Sequence, residues 1–148
     1  MRIGIGSDHR GFTLKEVLKN FLKKEGHQVV DFGTDSTNSV DYPDYAIPLA
    51  EAVARGELDR GILICNTGIG MSIAANKVKG VYAALVYHID LASYSRLHNN
   101  SNVLCMGAEY TPPKKAEEIV KIWLKTSFEG GRHERRINKI RSYEKGEQ

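Results

Sequence analysis

The chain has 148 residues, a formal net charge of +3, and 41% hydrophobic and 26% charged residues. That length and mixture suit one globular domain with a sizeable core, and so mild a charge gives no reason to expect a nucleic-acid partner. No apolar run has transmembrane length, the start MRIGIGSD lacks a secretory pattern, and two cysteines make no disulfide framework, so a reducing, cytoplasmic setting with no membrane contact is expected.

The elements alternate along the chain. RIGIGS (2–7) reads as a strand, and GFTLKEVLKNFLKKEG (11–26) as a helix with Phe12, Leu14, Val17, Leu18, Phe21 and Leu22 on one stripe. QVVDFG (28–33) is a second strand, followed by a polar loop at 34–44. YAIPLAEAVARGE (45–57) reads as a helix with Pro48 in its first turn or kinking it. Then come the strand RGILICN (60–66), the helix GMSIAANKV (70–78), the strand VYAALVY (81–87), the helix DLASYSRLHNN (90–100) and the strand NVLCMGA (102–108). PPKKAEEIVKIWLKTSF (112–128) opens on prolines as helices do, and the basic RHERRINKIR lies in a last helix after Gly130 and Gly131. Strands alternating with helices give an α/β fold with a parallel sheet covered on both faces, and no repeat or linker divides the 148 residues.

Sheets of this kind bind ligands beyond the carboxyl ends of their strands. Ser7, Asp8, His9 and Arg10 follow the first strand, Asp41 and Tyr42 lie in the loop after the second, and Cys65, Asn66 and Thr67 follow the third. His98, Asn99 and Asn100 close the fourth helix. In CNTGIGMS (65–72), Thr67 can cap a helix, while Gly68 and Gly70 let backbone N–H groups turn toward an anion. A thiolate at Cys65 could then remove a carbon-bound proton while those N–H groups hold the enediolate oxygen.

Competing motifs fail on particular letters. A Cys-x5-Arg phosphatase loop needs Arg where Met71 stands, no Gly-Lys-Ser/Thr triplet closes a phosphate loop, and GIGMSI has Ile73 where a dinucleotide fingerprint has its last glycine. Asp31, near the end of the second strand, keeps a nucleotide reading open. No His pair has metal spacing and no Cys-x-x-Cys occurs, so no metal or cofactor is expected. Structural readings stand beside the functional ones. Cys65 can be a buried thiol, His98 a helix C-terminal cation, Asp8 a cap for the helix near Gly11, and Asp41 and Tyr42 turn residues before Pro43. Cys105 reads as core, Trp123 as core or interface, and His27 and His88 as structural.

SDHRGFTLK, SVDYPDYA, CNTGIGMSIAANK, RLHNNSNVL and EGGRHERR occur in this order, and together they resemble the type B ribose-5-phosphate isomerases, a family that includes galactose-6-phosphate and allose-6-phosphate isomerases. The resemblance covers essentially the whole chain. It implies a Rossmann-like three-layer α/β/α sandwich with a five-stranded parallel sheet, and a metal-free aldose–ketose isomerisation through a cis-enediolate. Carried over residue by residue, Cys65 is the base that moves the proton between C1 and C2. Thr67 and His98 open the sugar ring, and the backbone of Gly68, Ile69, Gly70, Met71 and Ser72 forms the anion hole next to Asn66. Asp8, Tyr42 and Asn99, with Asp41 a weaker candidate, contact the sugar, and His9, Arg132 and Arg136 hold phosphate. The resemblance also implies a homodimer or tetramer with the site between subunits, residues 131–148 forming a basic helix that reaches the partner.

Three positions depart from the family pattern. Asn66 stands where Gly is usual, Glu109 where an Arg helps hold phosphate, and Arg10 where a small residue is usual. A carboxylate repels phosphate, so Arg10 is expected to compensate. Ribose 5-phosphate is the leading substrate. A hexose 6-phosphate, an unphosphorylated pentose, or a non-catalytic partner subunit are the alternatives.

Overall fold

A computed structural model describes residues 1–147; Gln148, the end of the expected basic helix segment, lies outside the described residues. The elements are β1 (Arg2–Ser7), α1 (Phe12–Lys24), β2 (Gln28–Asp31), α2 (Pro43–Ala54), β3 (Arg60–Cys65), α3 (Ile69–Asn76), β4 (Ala83–Leu85), α4 (Ile89–Asn99), β5 (Val103–Gly107), α5 (Pro113–Lys125) and α6 (Arg132–Glu144). Every strand pairing is parallel, in the order β2-β1-β3-β5-β4. The fold is the three-layer α/β/α arrangement that the alternation predicts.

The strands read as continuous apolar runs because both sheet faces are covered. On β3, Ile62 and Ile64 point into a core shared with Leu18 of α1 and Trp123 of α5. Leu63 and Cys65 point into the opposite core, against Leu49 of α2 and Met71 of α3. The two-residue period of a strand therefore puts the Cys65 thiol on the α2–α3 face. α6 packs on α4 outside these layers, anchored by the buried Ile137. Ile140 does not share that anchor and is half exposed.

Boundaries shift where prolines and glycines act. α2 begins at Pro43 rather than at 45, because a proline with fixed φ suits the first helical position. Pro48 then falls inside the helix, on its exposed side, where water can reach the carbonyl left without a donor. Thr67 is not the cap of α3. Gly68 is, with φ of 81°, a left-handed conformation that a side chain resists. β4 keeps only three of the seven residues expected, as the sheet's edge strand.

Trp123 is core, and its polar edge is also satisfied. Its indole N–H donates to Ser101 Oγ at 2.8 Å, Ser101 Oγ donates to Ser95 Oγ at 2.9 Å, and the Arg60 guanidinium lies over the ring at 5.1 Å. Burial pushes the Arg60 pKa down to about 10, with the Arg96 charge adding to the shift.

Candidate active site

The chain leaves β1 toward β2 on one side and returns to β3 on the other, so the crevice between the ends of β1 and β3 is a topological switch point. There the Asp8 N–H donates to the Ile64 carbonyl at 3.2 Å, which ties the loop after β1 to the end of β3. Asp8 is buried, and its Oδ1 accepts the N–H groups of Arg10 and Gly11 at 3.0 and 3.1 Å. Asp8 does not cap α1, whose cap is Gly11 without a side-chain bond; its Oδ1 closes the turn before the helix, and Oδ2 has no partner among the described residues. His9 Nδ1 accepts the Val40 N–H at 3.2 Å, so a neutral His9 carries its proton on Nε2.

The stretch from Cys65 to Ser72 folds as a tight turn into α3. The Gly68 N–H donates to Cys65 Sγ at 3.2 Å, and the Ile69 N–H donates to Thr67 Oγ1 at 3.2 Å. Sγ therefore sits against the positive end of α3. Two further contacts hold the turn: the Tyr87 hydroxyl donates to the Thr67 carbonyl, and the Ala108 N–H to the Cys65 carbonyl at 2.9 Å. A Cβ on Gly68 would come within 2.8 Å of the Met106 carbonyl carbon, and one on Gly70 within 2.8 Å of the Tyr42 ring. Tyr42 thus lies directly over the turn, and Asp41 precedes it, exposed, in the same loop. Asp8, His9, Asp41, Tyr42 and residues 65–72 form one group.

Asn66 fills its departure without left-handed geometry, and its carbonyl accepts the Glu109 N–H at 3.1 Å. This bond brings the exposed Glu109 next to the thiol turn. Neither Arg10 nor Glu109 forms an ion pair among the described residues, so the expected compensation is not a direct contact between them. Cys105, on the same sheet face as Cys65, is fully buried, and burial pushes its thiol pKa up.

The remaining expected residues form a second group. His98 and Asn99 end α4, and Arg132 and Arg136 lie one turn apart on α6, exposed and without carboxylate partners among the described residues. His98 stacks on His133, with ring centroids 4.4 Å apart and planes at 14°, and on Tyr94 at 5.2 Å and 22°. This group is at the other end of the sheet. The Asn102 carbonyl, just past α4, accepts the Gly61 N–H at 3.0 Å, and Gly61 lies four residues before Cys65, about 13 Å along β3. One chain therefore carries both halves of the expected site, facing away from each other.

His98, Glu129 and His133 also place one donor atom each within 4.8 Å of one another, a juxtaposition no sequence spacing announces. An ion held by both imidazoles must lie in both ring planes, and stacked planes 14° apart do not meet between the rings. This geometry suits a stack better than a metal centre.

Asp31 has no free oxygen for a ribose. Lys15, whose side chain is fully buried, donates to both of its oxygens at 2.8 Å, and Lys19 to one at 3.0 Å. Burial opposes ionisation there, but the Lys15, Gly33 N–H and Lys19 bonds outweigh it and hold the carboxyl below its ordinary value. Sequence reasoning missed Tyr94, which it placed only as a helix residue, and His133, which it quoted within EGGRHERR without a role.

The fold is that of an α/β enzyme with a glycine turn at the switch point of its sheet. The sequence profile of the family described as Ribose/Galactose Isomerase matches residues 3–140, and the chain belongs to that family. Ribose-5-phosphate isomerase B of Escherichia coli is 46% identical over 143 residues, covering 97% of this chain and 96% of its own. The structure of Clostridium thermocellum ribose-5-phosphate isomerase B superposes with a TM-score of 0.97 at 52% identity, covering 99% of both chains. That of the Mycoplasma genitalium enzyme with bound ribulose-5-phosphate gives 0.94 at 47% identity, covering 97% of this chain and 96% of its own. Among the described residues no helix is long and apolar enough to cross a membrane.

Proposed function

We propose that the protein interconverts D-ribose 5-phosphate and D-ribulose 5-phosphate through a cis-enediolate, with Cys65 as the base. The observation that carries this reading is the Gly68 N–H directed at Cys65 Sγ in a glycine turn that opens α3. The close relatives named for this activity support the substrate.

In this reading Thr67 and His98 open the furanose: one group takes the proton of the anomeric hydroxyl and the other delivers a proton to the ring oxygen. The Cys65 thiolate removes the C2 proton, and the C–H electron pair forms the C1–C2 double bond as charge moves to O1, held by backbone N–H groups of residues 68–72. The proton returns to C1 while the O2 proton passes to O1, leaving the ketone at C2. His9, Arg132 and Arg136 hold the phosphate through charge-assisted bonds. Asp8, Tyr42 and Asn99 fix the hydroxyls, with Asp41 beside them.

The separation of the two groups supports a homodimer in which each site takes Cys65 from one chain and His98, Asn99, Arg132 and Arg136 from the other. A groove beside the β4 edge supports the same assembly. It has a volume of about 460 Å³ and is lined by Leu85, Leu91, Tyr94, Ile137 and Ile140, four of which are exposed.

Glu109 beside the turn favours one alternative, an unphosphorylated pentose. Ketose formation from D-ribose 5-phosphate and from D-ribose, measured side by side, separates the two. The expected result is turnover of the phosphate, falling by about 10²-fold or more in Cys65→Ser. Turnover of free ribose alone would overturn the substrate, and activity intact in Cys65→Ser would overturn the base.

A further inference from the structure

An imidazole that moves protons is ordinarily oriented through a hydrogen bond on its second nitrogen. His98 makes no hydrogen bond to any described residue. Its ring instead stacks on two others. Tyr94, one turn earlier on α4, stacks at 5.2 Å and 22°, and His133, in the first turn of α6, stacks at 4.4 Å and 14°. Both rings lie within about 22° of parallel to the imidazole, so each restricts rotation of its plane.

The outer rings differ. Tyr94 is half exposed, whereas His133 is buried and its Nε2 has no hydrogen-bond partner, the nearest carboxylate oxygen, on Glu129, being 4.0 Å away. A buried polar nitrogen left unpaired costs stability. Burial, and then the neighbouring His98 and Arg132 charges, hold His133 below the ordinary imidazole range, with Glu129 opposing and Arg136 adding to the shift. A neutral ring can lie flat on His98 without charge repulsion.

We propose that Tyr94 and His133 are positioning residues that clamp the His98 imidazole for the ring-opening step. This rests on the isomerase reading above. The clamp fixes the plane in which His98 presents its nitrogens, and leaves them free for its share of the ring-opening proton transfers, the other share being that of Thr67. It has no part in the carbon proton transfer, which belongs to Cys65.

Two readouts separate these steps. Isomerisation starting from D-ribose 5-phosphate needs the furanose opened. Exchange of the C1 hydrogen of D-ribulose 5-phosphate with solvent deuterium, followed by NMR, starts from an open-chain ketose and needs only the thiol. In Tyr94→Leu and His133→Leu the clamp predicts at least an approximately tenfold loss of kcat from the aldose with KM little changed, while exchange stays within about twofold of wild type. Tyr94→Phe and His133→Phe keep a stacking ring and retain the aldose rate. Equal losses in both readouts, no loss in either, or failure of the phenylalanine variants to retain the aldose rate would overturn the clamp and leave the isomerase reading standing. Wild-type enzyme inert in both readouts would overturn that reading and the clamp with it.

Discussion

Mixing two inactive variants tests the divided site. Cys65→Ala removes the thiol at the carboxyl end of β3, and Arg132→Ala removes a cation beside the amino end of the sheet. Gly61 and Cys65 alone are about 13 Å apart along the strand, and the carboxyl end of α4, with the α6 residue stacked on it, lies at the Gly61 end, so no side-chain rearrangement unites the two groups within a chain. In a two-fold dimer each site draws one group from each chain. Random reassociation of equal amounts makes half of the dimers mixed, and each mixed dimer has one site with both residues intact and one with neither. Recovered activity should therefore approach about a quarter of the wild-type value. The assay is ketose formation after the variants are unfolded together and refolded, against each variant treated alone. A mixture no more active than its components would refute the shared site and require a single chain to complete it.

Other consequences follow from single contacts. Glu109→Arg replaces a carboxylate next to the thiol turn with a phosphate-binding cation, and steady-state kinetics should show KM for ribose 5-phosphate falling roughly tenfold with kcat little changed. Iodoacetamide should label the native protein at Cys65 alone, and more slowly with saturating sugar phosphate, because burial keeps the Cys105 thiol protonated; mass spectrometry of the peptides reads this directly. Asp31→Asn should destabilise the fold by roughly 1–3 kcal/mol in urea titrations at pH 7, less than for a sealed ion pair because Asp31 is partly exposed and Glu16 also holds Lys15. Asp31 has its carboxyl pKa lowered by folding, so its contribution is present above the unfolded value of 3.8 and is lost as the pH falls through the lower folded value, where variant and wild type should converge.

The layered fold was legible because local and long-range signals agree in this chain. Apolar runs such as GILIC sit between helical stripes such as Leu14, Leu18 and Leu22, and each run needs two covered faces. Boundaries were less legible. Pro43 and Pro48 both favour a helix start, and only the packing of Ala46 and Leu49 into the core selects the earlier one. The group around Cys65 was readable because its members follow neighbouring strands. The family resemblance implied a site between subunits, but that His98 and Asn99 lie at the opposite end of the sheet from Cys65 was not readable, since the residues carry no mark of the sheet end they occupy. The stack on His98 was also hidden. Tyr94 is one turn away and looks like an ordinary surface residue, while His133 reaches His98 only through the docking of α6 on α4.

The most direct test of the central claim is exchange of the C1 hydrogen of D-ribulose 5-phosphate with deuterium oxide, in wild type and in Cys65→Ala. The wild type should exchange one of the two C1 hydrogens stereospecifically, and the variant should lose that exchange by about 10²-fold or more while keeping its melting temperature. Exchange at the wild-type rate in Cys65→Ala would contradict the account, because some other group would then be moving the carbon-bound proton.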